Sequence, residues 1–228
     1  MSDPAAHLED VADLDHDRRR RTGIPEVVLA QGKTTEQTLG LLAALRRVDP
    51  SGPALATRCP DDVIAAAATA FSGEPVTADP VGRTVVVGEP PSRTGRTVVL
   101  TAGTTDLPVA HECCTTLRAL GVTVDLLPDV GVAGLHRLLG RVEQLRDAHV
   151  VIVVAGMDGA LPSVVAGLVA APVIGVPTSV GYGVAAGGVA AAAGMLSSCS
   201  PGLTVVNIDN GFGAAVHAAK IERVVAGG

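Results

Sequence analysis

Two different patterns of apolar and polar residues divide the chain. The first part alternates short apolar runs with amphipathic stretches, which predict a strand at 26–30, a helix at 35–48, a strand at 54–56 and a helix at 61–71. We expect Asp61 or Asp62 to cap the last of these helices. The elements predict a small α+β domain over residues 1–95, which ends in a Pro-, Gly- and Ser-rich linker at 88–95.

After residue 96 the pattern becomes regular. Five runs of apolar, mostly β-branched residues lack strict alternation, which is typical of strands buried on both faces: TVVLTAG, VTVDLLPD, VVIVVAGMDG, PVIGVPTS and LTVVNIDNG. Between them lie stretches long enough for crossover helices, at 109–120, 135–147, 161–169 and 187–197. Alternating strands and helices predict an α/β domain with a doubly wound parallel sheet over residues 96–228.

Composition and charge narrow the class of protein. The chain has a formal net charge of −6, one Tyr, two Phe and no Trp, so it lacks the basic surface and the aromatic platforms that bind nucleic acid. No uninterrupted apolar run of about 18 residues is present, and we expect no membrane span. The four cysteines show no C-x-x-C spacing and the N-terminus has no apolar leader, which favours the cytoplasm.

The turns that follow the five strands are the expected ligand site, because open α/β sheets bind ligands outside the carboxyl ends of their strands. Their Gly, Thr, Ser and Asp residues allow a phosphate to approach main-chain N–H groups. For any single turn, tight turns and helix caps are the simpler explanation. Several such turns on one edge predict a site for a phosphorylated small molecule. The candidate substrate-binding residues in these turns are Thr104, Thr105, Asp129, Gly131, Met157, Gly159 and Ser179, whose individual roles are implied only by the family resemblance given below.

Two carboxylates and one thiol are candidates for chemistry. Asp106 and Asp158 end strands that are neighbours in the usual order of such sheets, where paired carboxylates can transfer protons or anchor a ligand or metal. Asp106 is also well placed to cap the helix that follows it. Cys199 lies in the polar segment SSCSPG, where Pro and Gly end a helix. Its position alone leaves both a nucleophile and a buried thiol open.

Two further signals are weaker. The segment GYGVAA at 181–186 matches the dinucleotide fingerprint G-x-G-x-x-A, and Asp209 lies at the distance expected for a ribose-binding acid. Chance explains this match equally well, because Ala and Gly are abundant in this chain. His136 and Arg137 lie early in a predicted helix, where they either contact a phosphate or face solvent.

Longer strings resemble a known family. AGTTDLPVA, DVGVAGLHRLL, AGMDGALPSVVAGLVAAPVIGVPTSVGYG and MLSSCSPGLTVVNIDNGFGAA closely resemble LarB, the pyridinium-3,5-biscarboxylic acid mononucleotide synthases of nickel-pincer cofactor biosynthesis, and RTGIPEVVLAQGKTTEQ resembles that family's N-terminal region. The second domain is also similar to carboxyaminoimidazole ribonucleotide mutase, which implies a flavodoxin-like core. That mutase carries a proton-transferring histidine in its loop A-G-x-A-A-H-L-P, where this chain has Ala160.

The LarB resemblance implies an enzyme that carboxylates the pyridinium ring of nicotinic acid adenine dinucleotide with carbon dioxide or bicarbonate and hydrolyses its phosphoanhydride to release AMP. It implies Cys199 as the covalent catalyst, Asp158 as the base and Asp106 as a substrate-orienting group. It further implies Mg²⁺ held largely through phosphate oxygens, with no protein ligands assigned, and a homo-oligomer such as an octamer.

Two alternative functions stay open, of which the second belongs to another class. An aminoimidazole ribonucleotide carboxylase or mutase is disfavoured by Ala160, because the proton-carrying histidine is missing. A non-catalytic nucleotide-binding protein, which scaffolds or senses, would tolerate replacement of Cys199 by Ser.

Overall fold

The computed structural model describes residues 14, 15 and 17–227. These residues form two compact units: the first ends at Ser92 and takes in Ala119–Gly121, and the second comprises Arg93–Arg118 and Val122 onward. Residues 1–13, where the predicted first domain begins, lie outside the described part. No helix within the described part is long and apolar enough to cross a membrane.

A four-stranded mixed sheet forms the centre of the first unit. Its elements are α1 (Arg18–Thr22), β1 (Val27–Leu29), α2 (Thr35–Val48), β2 (Ala54–Thr57), α3 (Asp61–Ala70), β3 (Val76–Asp79) and β4 (Thr84–Val87). The strand order is β1-β2-β4-β3, with β1 and β2 parallel and the remaining pairs antiparallel. Thr34 and Gln37 form a reciprocal capping box that starts α2 where the sequence predicts it.

The first unit differs from expectation in two places. The pattern did not predict β3 and β4, because each has only four residues and β4 is buried throughout, which leaves no alternation to detect. The predicted cap of α3 by Asp61 or Asp62 is wrong. Pro60 occupies the N-cap position without a side-chain bond, and the Asp62 carboxylate instead accepts hydrogen bonds from the Thr35 hydroxyl and the Val63 N–H.

The second unit is a five-stranded parallel sheet with flanking helices, which confirms the predicted α/β fold class. Its elements are β5 (Thr94–Thr101), α4 (Leu107–Ala119), β6 (Val122–Leu127), α5 (Leu135–Leu139), β7 (Val150–Ala155), α6 (Leu161–Ala166), β8 (Val173–Pro177), α7 (Val189–Leu196), β9 (Leu203–Val205) and α8 (Gly211–Val225). The order is β6-β5-β7-β8-β9, which is the flavodoxin-like arrangement.

The strands of this sheet carry apolar side chains on both faces. Every residue of β7 and β8 is buried. One face packs against side chains from α5, α6 and α7, including Leu138, Leu161 and Met195. Helix α8 lies against β5, β7 and β8 through buried alanines such as Ala214 and Ala218. Continuous apolar runs are therefore needed in β7 and β8, because neither face of these two strands is left to water, whereas the edge strands β6 and β9 each have an exposed residue.

Two helical regions differ from the predicted pattern. The single helix expected at 135–147 ends at Gly140 and continues only as a short 3-10 turn at Val142–Leu145, because Gly disfavours a helix interior. Helix α8 was not predicted. The buried Glu222 carboxylate near its end accepts hydrogen bonds from the Arg96 N–H at 3.0 Å and the Thr97 hydroxyl at 2.9 Å, which ties α8 to the start of β5.

Candidate functional site

Strained turns mark the carboxyl edge of the parallel sheet. Asp129, Met157 and Asp209 follow β6, β7 and β9, and they have φ values of 58°, 56° and 55°. Asp enters this left-handed conformation more readily than most residues, whereas for Met157 it is uncommon, and such residues cluster at binding sites. All three lie on the edge where the sequence predicts a ligand.

A cavity of about 230 Å³ opens at this edge. The turns after β5, β6, β7 and β8 form its wall, over the point where the strand order reverses between β5 and β7. Among the described residues that line it, four have polar side chains, namely Thr105, Asp106, Arg137 and Asp158. The others are small or apolar, so these four groups provide the side-chain chemistry of the cavity.

Two glycines allow the turns around the cavity to pack main chain against main chain. A Cβ atom on Gly131 would lie 2.5 Å from the Ala102 carbonyl oxygen, and one on Gly156 would meet the Val180 carbonyl oxygen. Backbone atoms cannot move aside as a flexible side chain can. Any other residue at these positions would therefore push the cavity wall apart.

Asp106 is a buried carboxylate that joins three of the turns. It is 3% exposed and accepts hydrogen bonds from the Gly103 N–H at 2.9 Å, the Thr178 hydroxyl at 2.7 Å and the Gly156 N–H. Burial raises the pKa of Asp106, and the hydrogen bond from Thr178 opposes this shift. The predicted cap of α4 takes a different form, because the carboxylate turns back to Gly103 instead of forward into the helix.

Asp158 lies at the same cavity but is exposed. Its Oδ1 atom accepts one long hydrogen bond, at 3.3 Å, from the Ala160 N–H. The turn that carries it is held firmly, since a Cβ atom on Gly159 would lie 2.5 Å from the Ala191 carbonyl oxygen and one on Gly194 would meet the Asp158 carbonyl oxygen. A rigid turn thus presents a carboxylate whose oxygens remain accessible to a ligand.

Cys199 is exposed and lies between α7 and β9, and it does not line the cavity of the single chain. Its neighbours bind α6, since the Ser163 hydroxyl contacts the Ser198 hydroxyl at 2.8 Å and the Ser200 hydroxyl donates to the Ser163 carbonyl at 2.8 Å. Helix α6 begins directly after the Asp158 turn. The segment with Cys199 and the turn with Asp158 are therefore anchored on the same helix.

The other cysteines, all within the described residues, are buried. Burial raises the pKa of the Cys59 thiol to about 12 and that of Cys113 well above its usual range. Thiols in such surroundings do not ionise near neutral pH and react poorly. Cys199 is thus the cysteine that a substrate or a reagent can reach.

The predicted substrate-binding residues separate into two groups. Thr105, Gly131 and Met157 line the cavity, whereas Gly159 is buried behind it and Thr104 and Ser179 are exposed outside its lining. Asp129 binds the Arg137 guanidinium, which itself lines the cavity. The proposed roles of these residues remain predictions.

Three contributors at the site were given no individual role from the pattern, although Thr178 and Val180 belong to one of the predicted strand-end turns. Leu161 and Val180 line the cavity, and Thr178 holds Asp106. Apolar and β-branched side chains such as these are typical of a buried core. The sequence therefore gives no sign that they have a role at the edge of the sheet where a ligand is expected. The fingerprint segment at 181–186 forms irregular 3-10 turns with a kink at Ala186, so it does not open a regular helix as a dinucleotide motif does.

Comparisons with known proteins cover nearly the whole chain. A model described as a LarB/PurE-like N-terminal domain matches residues 6–89, and a model described as AIR carboxylase matches residues 96–226. The chain belongs to the AIR carboxylase family. Together the two matches make it a LarB-like protein with a PurE-like catalytic domain, which confirms the resemblance inferred from the motifs.

The chain is also similar to a protein of Methanocaldococcus jannaschii named Uncharacterized protein MJ0165. The two are 41% identical over 228 positions, which cover 96% of this chain and 86% of the relative. The similarity therefore extends through both regions matched by the family models. AIR carboxylase family membership supports a carboxylase-type activity and assigns the parallel domain as its catalytic part.

The donor side chains of this AIR carboxylase family member determine how it could hold a metal ion. Among residues 14, 15 and 17–227, no group of three or more His, Cys, Asp or Glu side chains is arranged to hold a metal ion. The Asp106 carboxylate is already engaged by N–H and hydroxyl donors. An Mg²⁺ ion held mainly by substrate phosphate oxygens would need no such group, and its binding stays a prediction.

Proposed function

We propose that this LarB-like protein carboxylates the pyridinium ring of nicotinic acid adenine dinucleotide and hydrolyses its phosphoanhydride. The products are pyridinium-3,5-biscarboxylic acid mononucleotide and AMP, for nickel-pincer cofactor biosynthesis. Carbon dioxide or bicarbonate is the co-substrate, and Mg²⁺ bound to phosphate oxygens supports the hydrolysis. The reaction belongs in the cytoplasm, where the thiol of Cys199 stays reduced.

The proposed carboxylation needs a nucleophile and a base. A pyridinium ring is electron-poor, so the Cys199 thiolate first adds to the carbon para to the ring nitrogen and gives an enamine. The enamine carbon then attacks carbon dioxide and forms the new C–C bond. Asp158 removes the proton from that carbon, the ring regains aromaticity and the thiolate leaves. The net change is replacement of one ring hydrogen by a carboxylate, with one proton released.

The observation that carries this proposal is the exposed thiol of Cys199 on a segment anchored to the helix that follows Asp158. A scaffold or sensor protein has no need of either group. An aminoimidazole ribonucleotide carboxylase or mutase is the second candidate because of the family match. It is disfavoured because Ala160 lines the cavity and none of the described lining residues is a histidine.

Product analysis tests the proposal directly. Purified protein is incubated with the dinucleotide, bicarbonate and Mg²⁺, and the small molecules are followed by mass spectrometry. We expect AMP and a doubly carboxylated pyridinium mononucleotide. Intact dinucleotide that nevertheless binds would favour the sensor alternative, and turnover of an aminoimidazole ribonucleotide would favour the second candidate.

The role of Cys199 is tested with Cys199→Ser. We expect no carboxylated product and retained dinucleotide binding, because the hydroxyl is a far weaker nucleophile than a thiolate. A thiol reagent should modify one cysteine per native wild-type chain and none in the variant, since the other cysteines are buried. Full turnover by Cys199→Ser would eliminate the covalent mechanism.

We also propose a homo-oligomer. Tyr182, Val184 and Val189 follow β8 closely and are 77%, 97% and 68% exposed. Large apolar side chains grouped in this way commonly mark contact surfaces. Light scattering should give a mass several times that of one chain, and Val184→Asp should reduce it. A monomer at micromolar concentration would contradict this proposal.

A further inference from the structure

We propose that Ser163, in the first turn of α6, is a positioning residue that fixes the Cys199 thiol relative to the turn with Asp158. It holds the residues on both sides of the thiol, through one hydrogen bond to Ser198 and one from Ser200. The anchor is a property of the fold, and its importance for turnover rests on the proposed function. Ser163 acts through the segment that carries the thiol and needs no contact with the substrate.

Two hydrogen bonds join α6 to residues 197–200, which we call the thiol segment. The Ser163 hydroxyl donates to the Ser198 hydroxyl at 2.8 Å, and the Ser200 hydroxyl donates to the Ser163 carbonyl at 2.8 Å. A third bond ties the two flanking residues to each other, because the Ser200 N–H donates to the Ser198 hydroxyl at 3.1 Å. Cys199 therefore lies between two residues that one residue of α6 holds.

The thiol segment presents its anchors and its reactive group in opposite directions. Ser198 and Ser200 are half-buried, whereas Cys199 between them is exposed. Pro201 follows directly, and its ring restricts both its own backbone rotation and that of the residue before it. The serines thus fix the segment against α6 and leave the thiol accessible to a ligand.

A second connection ties the thiol segment to the turn with Asp158. The segment continues directly from α7, and α7 packs closely on that turn, since a Cβ atom on Gly194 would meet the Asp158 carbonyl oxygen. Helix α6 provides the first connection, because it begins directly after the same turn. The turn, α6, the serine bonds and α7 therefore form a closed ring of contacts that includes both Asp158 and Cys199. Loss of the serine bonds opens this ring.

The proposed reaction needs a fixed separation between the thiol and the base. The Cys199 thiolate adds to the ring carbon para to the nitrogen, and Asp158 removes a proton from the neighbouring ring carbon. Both groups must therefore reach one ring in the same catalytic cycle. A misplacement of about 1 Å between reacting groups can lower a rate by about 10²-fold. An exposed thiol needs an anchor such as Ser163 to keep this geometry.

Steady-state kinetics test the role of Ser163 in the reaction. Ser163→Ala removes the donor to the Ser198 hydroxyl, and we expect kcat for carboxylation to fall about 10- to 100-fold with KM unchanged. Ser163→Thr keeps a hydroxyl and should restore most of the rate. Ser197→Ala is the matched control, because the Ser197 hydroxyl belongs to the same segment but donates to the Gly194 carbonyl of α7.

A spin label gives a readout that does not depend on turnover. It is attached through a disulfide to Cys199, which is exposed while the other three cysteines are buried. The line shape of its electron paramagnetic resonance spectrum reports motion of the thiol segment on the nanosecond scale. We expect a restricted line shape in the wild type, in Ser197→Ala and in Ser163→Thr. Ser163→Ala should add a more mobile component.

Two results overturn the inference. One is a label that is equally restricted in Ser163→Ala and Ser197→Ala, and the other is an equal kcat for these two variants. In both cases carboxylation by the wild type leaves the proposed function standing. If the wild type gives no carboxylated product while Ser163→Ala still mobilises the label, the proposed function fails and the anchor stands. Melting temperatures of all variants exclude unfolding as the cause.

Discussion

Asp106 and Asp158 follow adjacent strands of one sheet and line the same cavity, yet they lie in opposite surroundings. Asp106 is 3% exposed and accepts hydrogen bonds from donors in three turns, whereas Asp158 is exposed and accepts one bond of 3.3 Å. A fully engaged carboxylate holds turns together, and an accessible one keeps lone pairs for a proton. Position at a strand end thus does not by itself decide whether an acid is structural or chemical.

The contrast between Asp106 and Asp158 depends most on whether Asp158 is needed for turnover. We expect Asp158→Asn to lower the rate of carboxylation by about 10²- to 10⁴-fold, because the amide cannot accept the ring proton. The free energy of unfolding should change by less than about 0.5 kcal/mol, since the side chain is exposed. Initial rates and urea denaturation provide both numbers. Asp147→Asn, at an exposed position before β7, is the control; a variant at Asp158 as active as this control would refute the assignment.

The reverse expectation holds for Asp106. Asp106→Ala leaves the Gly103 and Gly156 N–H groups and the Thr178 hydroxyl without their acceptor. We expect the free energy of unfolding to fall by about 1–3 kcal/mol, the cost of unsatisfied buried donors. Urea denaturation measures this change. If Asp106→Ala were as stable as the wild type, the three turns would not depend on this carboxylate.

The turns after β5 and β7 also differ in how tightly they are packed, and one glycine in each turn shows this. A Cβ atom on Gly156, after β7, would meet the Val180 carbonyl oxygen, whereas one on Gly103, after β5, would meet nothing closer than 3.7 Å. Gly156→Ala should therefore lower the free energy of unfolding by about 1–3 kcal/mol. Gly103→Ala should be neutral or stabilising by up to about 1 kcal/mol. Equal changes in melting temperature for Gly156→Ala and Gly103→Ala would argue against tight packing of the turn after β7.

The smallest expected effect is a pH dependence. Burial raises the pKa of Asp106 above its ordinary value of 3.8, so the folded state holds this proton more tightly than the unfolded chain. The stabilisation of the folded state by this proton is complete at pH values below 3.8, and it is lost as the pH rises through the raised pKa of Asp106 in the folded state. We expect the unfolding free energy of the wild type, minus that of Asp106→Asn, to decrease over this window. Denaturation at a series of pH values tests it, and an increase would contradict the buried position.

The sequence predicted the regular elements well and the packed details less well. Runs of apolar residues located the strands of the parallel sheet, because buried strands need them wherever they lie. The short β4 and the break at Gly140 were missed, since four residues carry little periodicity and a single Gly does not always end a helix. The predicted cap of α3 was wrong because the Asp62 carboxylate accepts a hydrogen bond from the Thr35 hydroxyl, which is distant along the chain.

For the site, the sequence by itself determined which strand ends carry acids and the family to which the chain belongs, whereas the exposure of Cys199 came from the structure. These properties follow from local composition and from motifs. Only the tertiary structure decided that Asp106 is enclosed while Asp158 is open, that Cys199 lies outside the cavity, and that Arg137 faces into it beside Asp129. Each of these depends on neighbours that the fold brings together from other strands and helices, and the periodicity of one segment contains no information about them.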